Sequence, residues 1–143
     1  MKNPLILLLV IGLQCVSFAQ KKADSERTVG FGCYVGGEPS RAVTKITQLI
    51  ESNGYNSISE LLHSGNEGER YLAGITLQRL NNIGIYEINK EEKDLIEKLQ
   101  KSLDLVSVCE GCTYFDEVPM HILFSDKDLI GTNRWLERTI KKN

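Results

Sequence analysis

The spacing of apolar positions changes several times along this chain of 143 residues. A continuous apolar run, LILLLVIGL, covers residues 5–13. Residues 20–28 (QKKADSERT) are charged and aperiodic, and read as a mobile leader. Residues 29–39 (VGFGCYVGGEP) set four glycines around Phe31, Cys33 and Tyr34, which suits a compact loop or a short strand turning about Cys33. Helical periodicity then takes over. Between Ser40 and Asn53, Val43, Ile46, Leu49 and Ile50 recur every three or four residues and predict an amphipathic helix. Pro39 suits its entry and Gly54 its C′ position. Ser57-Ile58-Ser59-Glu60 has the form of a capping box, opening a short helix that buries Ile58, Leu61 and Leu62 and ends at Gly65. Asn66 is placed to cap a third helix, on which Tyr71, Leu72, Ile75 and Leu80 share a face with Ala73 and Leu77 beside it. Gly68 and Gly74 each weaken that helix by about 1 kcal/mol relative to Ala, so packing must hold it. Gly74 would let a neighbouring helix approach closely. Asn89 with Glu92 opens a fourth helix carrying Leu95, Ile96, Leu99 and Leu103.

Past Leu103 the pattern supports two readings. Residues 105–108 (LVSV) extend the helix or form a strand, and Cys109-Glu110-Gly111-Cys112 is turn-like. Residues 120–124 (MHILF) are a further apolar run. Ser125-Asp126-Lys127-Asp128 has the form of a helix start, with Leu129, Trp135, Leu136 and Ile140 as the apolar side of a closing segment that Gly131 interrupts. Lys141-Lys142 places positive charge at its C-terminal end, where the helix dipole favours it. The expected fold is mainly α: a short right-handed helical array or an irregular bundle of four to five helices, with a small β-hairpin near 105–124. Residues 20–38 form the leader and Gly/Cys loop, and 39–143 the helical domain.

The apolar run at the start has the layout of an export signal. Lys2 gives a positive start, the run weakens at Gln14, and Ser17-Phe18-Ala19 supplies small residues where a signal peptidase reads, so 1–19 is expected to be a signal peptide. A spanning helix needs about 20 apolar residues, more than this run holds, so no membrane span is expected after cleavage. Cys15 as a lipid-modified cysteine is a minor alternative, because Gln14 stands where such signals place a small residue. The Phe-Ala-Gln junction resembles signal junctions common in Bacteroidetes, which implies a periplasmic or secreted bacterial protein. Cleavage would remove Lys2 and Cys15 and leave three cysteines out of four.

Residues 57–80 resemble a single HEAT-like repeat of the short helix-turn-helix kind. Ile58, Leu61 and Leu62 match its first helix, Ser64-Gly65-Asn66 its turn, and Arg70, Ala73, Leu77 and Leu80 its second helix. Such repeats carry Asp or Asn in the turn and an Arg with a buried stem on the second helix, roles that fall to Asn66 and Arg70. The match departs from the family at Gly68 and Gly74, where a helix former is usual. HEAT-like folds commonly present a surface to protein partners, so the resemblance implies binding rather than catalysis, with another envelope or extracellular protein as partner.

Composition and charge narrow the function less than the cysteines do. Hydrophobic residues make up 41% and charged residues 25%, which excludes a disordered chain. The 17 basic against 19 acidic residues leave no electrostatic footprint for nucleic acid. Cys33, Cys109 and Cys112 remain in the mature chain, and the default in an exported protein is a disulfide, here from Cys33 to Cys109 or to Cys112. A redox-active Cys109-x-x-Cys112 pair is a second reading, though the strand-helix setting of thioredoxin-like proteins is missing. A zinc site of Cys33, Cys109, Cys112 and His121 is a third, since three thiolates and one imidazole complete a tetrahedral shell. No nucleophile elbow, zinc-protease helix or phosphate-binding loop occurs in the sequence. No catalytic residue and no cofactor other than zinc is therefore expected. His63 reads as a surface residue, His121 as a buried hydrogen-bonded one, and Trp135 and Tyr114-Phe115 as core, or as partner anchors if they are exposed.

Overall fold

The structure, a computed structural model, describes residues 26–140. The apolar run with Cys15, and Lys141-Lys142, lie outside the described residues. The chain forms α1 (Arg41–Glu51), α2 (Tyr55–Glu60, continued by a 3-10 turn Leu61–His63), α3 (Glu67–Asn82), α4 (Lys90–Leu99), β1 (Leu105–Glu110), β2 (Tyr114–Pro119), α5 (Met120–Ser125) and α6 (Thr132–Thr139). It is a mainly helical fold with a small antiparallel hairpin, in which Leu105 faces Pro119 and Glu110 faces Tyr114. Among the described residues no helix is long and apolar enough to cross a membrane.

Helix α3 is the centre of the molecule. It packs against α1, α2, α4, α5 and β1. Its residues Tyr71, Leu72, Ala73, Gly74, Ile75, Thr76 and Leu77 are all buried in succession, so no polar stripe interrupts the middle of the helix. A helix apolar all round belongs inside a fold rather than on its surface. Asn66 caps it as its sequence position predicts, its side-chain oxygen accepting from the N–H groups of Gly68 at 2.9 Å and Glu69 at 3.3 Å. Gly74 admits a side chain rather than a helix backbone. A Cβ there would lie 3.0 Å from Phe124 Cζ, and the Phe124 ring stands edge-on to Tyr71 with centroids 5.3 Å apart. The buried Tyr71 hydroxyl shares a hydrogen bond with Thr132 Oγ1 at 2.8 Å, and burial pushes its pKa up.

Several local expectations are corrected. Asn53 rather than Gly54 takes the left-handed position after α1 (φ 55°), and Gly54 follows it, donating its N–H to the Leu49 carbonyl at 2.7 Å and preceding α2. Helix α2 begins at Tyr55, so Ser57 lies inside it and makes no capping box. Leu103 is 76% exposed, because α4 stops at Leu99 and the chain turns toward β1. Residues 105–108 are strand, and the run at 120–124 is the short helix α5 rather than part of the hairpin. Ser125 ends α5 instead of starting a helix. Gly131, at φ 81°, immediately precedes α6 rather than interrupting it. The leader is held from Glu26 onward. The Glu26 carbonyl accepts from Asn66 Nδ2 at 2.6 Å, its carboxylate pairs with Arg41 at 2.8 Å, and Thr28 and Val29 are buried.

One carboxylate ties three elements together. Glu92, in the first turn of α4, is 4% exposed. One oxygen completes the capping box by accepting from the Asn89 N–H at 2.8 Å, and the other accepts from the hydroxyls of Ser59 on α2 and Tyr86 in the connection before α4. Burial alone would raise the Glu92 pKa, but the hydrogen bonds from Ser59, Tyr86 and Asn89 outweigh it and hold the carboxyl below its ordinary 4.5. Glu69 is lowered in the same way: Lys45, its ion-pair partner at 2.6 Å, and Ser64 outweigh its burial. A carboxyl lowered in the folded state contributes stability that is complete above the unfolded pKa and lost as pH falls through the folded one. Urea midpoints measured across pH should therefore decline below about pH 4.5. Glu92→Gln should cost about 1–3 kcal/mol at neutral pH, by leaving two partly buried hydroxyls poorly matched, and should flatten the acid limb. An acid limb as steep as the parent's would show that Glu92 is not the titrating group.

Candidate functional site

The chemistry-bearing residues of the chain converge where the N-terminal segment meets the hairpin. Val29 donates its N–H to the Ser107 carbonyl at 2.8 Å and accepts from the Cys109 N–H at 3.0 Å. Further along, the Gly111 N–H reaches the Gly32 carbonyl at 2.9 Å and the Tyr34 N–H the Gly111 carbonyl at 2.9 Å. The segment thus runs parallel to β1 and covers the edge that β2 leaves open. This alignment brings Cys33 to Cys109, with Cα atoms 5.7 Å apart, and the two form a disulfide closing a sequence separation of 76 residues. Gly30 makes room for it. A Cβ at Gly30 would fall on both sulfur atoms and lie 2.8 Å from the Cys109 carbonyl oxygen. The Gly30 carbonyl is fixed in turn by the Ser40 N–H at 2.8 Å, so the clasp joins the start of α1 as well.

The other predicted residues are not drawn into this seam. Cys112 is free and exposed beyond the left-handed Gly111 (φ 61°) in the hairpin turn. The Cys109-x-x-Cys112 pair is therefore not formed, because Cys109 is bonded across the seam to Cys33. His121 lies on α5, where its Nδ1 is 3.2 Å from the Ser102 carbonyl, and it is half-buried. The four-residue zinc set is not assembled: two of its thiols are consumed by each other and the imidazole engages backbone. Among the described residues no group of three or more His, Cys, Asp or Glu side chains is placed to hold a metal ion. His63 is exposed at the surface, 3.9 Å from Glu91. Trp135 is core, stacked on Phe31 at 5.1 Å and donating to Thr47 Oγ1 at 3.2 Å. Tyr114, expected in the core, is 41% exposed because it sits beside the hairpin turn, opposite Glu110.

Two features escaped the sequence reading. The seam ends in an exposed rim carrying Tyr34, Val35 and Tyr114 with Cys112 beside them, and Val35 is 92% exposed. Tyr34 holds a left-handed backbone (φ 62°), a conformation that costs a bulky residue about 1–2 kcal/mol. The sequence signals for this rim were the density of glycines around Tyr34 and the aromatic Tyr114, an anchor only if exposed. The second feature is a cavity of about 100 Å³ between α3 and α6, lined by Gln78, Arg79, Asn82, Lys127 and Glu137 among others. No family model, no curated protein and no solved structure matches this chain.

Closing a loop of this length should stabilise the fold by about 4 kcal/mol in the chain-entropy account. Denaturant unfolding of the Cys33→Ala/Cys109→Ala double variant should show a loss of that order. Gly30→Ala should leave Cys33 and Cys109 open to thiol labelling together with Cys112, whereas Gly36→Ala, with no sulfur near its added Cβ, should label at Cys112 alone.

Proposed function

We propose that this protein is an exported binding module that engages another protein of the bacterial envelope or extracellular space through the clasped rim of Tyr34, Val35 and Tyr114. The observation that carries this reading is Tyr34, which is half exposed and strained at φ 62° on a backbone pinned to Gly111 at 2.9 Å. A strained residue points to a use for its side chain, since glycine would take the same conformation without steric cost. Rigid aromatic side chains on a fixed backbone lose little freedom on binding, which makes them suitable anchors. The disulfide is of the kind that oxidising compartments maintain, in keeping with the export signal at 1–19.

Binding is favoured over catalysis by the fate of the perturbed carboxyls. Glu92 and Glu69 are each lowered by hydrogen bonds that hold helices together, so their shifts have structural explanations. The helical hairpin at 57–80 is read as a HEAT-like unit within this module. Its support is the Asn66 cap and the Arg70 guanidinium, which donates to the Ser64 carbonyl at 2.8 Å and pairs with Asp104 at 3.0 Å.

Tyr34→Gly separates the strain from the side chain. The variant should gain about 1 kcal/mol in unfolding free energy yet lose capture of the proteins that the parent retains from an envelope extract. Capture that persists unchanged in Tyr34→Gly and in Val35→Ser would sink the reading. Fractionation of cells producing the full chain should recover a form beginning at Gln20 outside the cytoplasm.

A further inference from the structure

We infer that the cavity between α3 and α6 binds a small oxyanion-bearing molecule, its carboxylate or phosphate head seated on Arg79. Arg79 lies in the last turn of α3, and its Nε is out of solvent with no acceptor among the described residues within reach. The contrast with Arg70, nine residues earlier on the same helix, is informative. Arg70 spends its guanidinium on the Ser64 carbonyl, Asp104 and Glu67. The Arg79 side chain makes no hydrogen bond or ion pair among the described residues, although a buried guanidinium N–H without an acceptor is costly.

The surroundings suit an anion. Lys127 supplies a second positive charge to the cavity wall, and Gln78 and Asn82 supply neutral amide groups able to donate. Glu137 is the one acidic side chain on this wall, and it pairs with neither cation, so the lining keeps a net positive charge. The fork of an arginine matches two oxygens of a carboxylate or phosphate, and the lysine adds a point charge beside it. The volume of about 100 Å³ suits a head group rather than a whole metabolite. An adjoining cavity of about 410 Å³ shares Gln78, Asn82 and Lys127 and is walled by Ile88 and Ile96, which gives the body of the ligand a partly apolar surface. That volume falls in the range of small-molecule sites.

The test follows the Arg79 Nε–Hε resonance by NMR while inorganic phosphate, and separately malonate, replaces chloride at constant ionic strength. A saturable shift at Arg79, absent at the exposed Arg41, is expected with at least one of them. Phosphate alone would assign a phosphate head, malonate alone a carboxylate, and both a general oxyanion site. Lys127→Gln, at a partly exposed position, should weaken the binding about tenfold, and Glu137→Gln should tighten it. No saturable shift with either anion would overturn the proposal, and so would a response at Arg41 equal to that at Arg79. Affinities unchanged in both Lys127→Gln and Glu137→Gln would overturn it too. These two substitutions leave α3 untouched, so the outcome does not depend on whether Arg79→Gln folds.

Discussion

The bond between Cys33 and Cys109 converts two stretches 76 residues apart into one structural unit, and the surrounding geometry is arranged around it. A two-stranded hairpin is marginal alone in water, and this one has only β1 and β2. The segment from Val29 to Tyr34 completes it by hydrogen-bonding along the other edge of β1, which also removes an exposed edge. The stretch leading into it, Arg27 to Val29, lies across the N-terminal turn of α3, where a Cβ at Gly68 would come within 2.6 Å of the Arg27 carbonyl oxygen. Gly30 and Gly68 are therefore required by a single event, the docking of the N-terminal segment. Both would be puzzling if the helices were considered by themselves.

Much of the helical framework was legible because capping is local chemistry. Asn66 and the Asn89–Glu92 pair act where the sequence puts them, since a side chain two or three residues from the N–H groups it accepts from needs no distant partner. The same rule misled at Ser57, because Tyr55, which packs edge-on with Tyr86 at 6.0 Å, starts the helix earlier. Residues 120–124 could not be placed from periodicity, since a short apolar run fits a buried helix and a buried strand equally well. For the cysteines the limit was register. Whether Cys33 meets Cys109 or Cys112 depends on how the segment slides along β1, and that is set by backbone hydrogen bonds that have no signature in spacing. Arg79 was illegible for a related reason: an arginine near a helix end reads as a solvated cation until α6 closes over it.

Polar burial divides the molecule into two kinds of site. Around Glu92 the donors are in balance: two hydroxyls and a backbone N–H meet the two oxygens of one carboxylate, and the charge stays in place despite its burial. A fully satisfied network of this sort fixes how α2 and α4 meet and leaves nothing to offer a ligand. Around Arg79 the donors exceed the acceptors. It is this imbalance beside a cavity, more than burial or charge alone, on which the proposed oxyanion site rests.

Helix α3 itself gives Arg79 one compensation. In the last turn, the carbonyl ends of the helix dipole favour a cation by about 0.3–1 kcal/mol. Leaving a buried donor unmatched costs about 1–3 kcal/mol, and more for a charged group. The dipole therefore accounts for part of the cost and leaves a remainder, which an oxyanion in the cavity would offset. The clasp at Gly68 and the guanidinium at Arg79 stand eleven residues apart on this helix, roughly 16 Å along its axis at the usual rise. One end of α3 is thus committed to holding the N-terminal segment and the rim it displays, while the other end carries an unmatched charge facing a cavity. The packed middle of the helix, Tyr71 to Leu77, holds these two ends in one fixed relation, because a close-packed interior yields little.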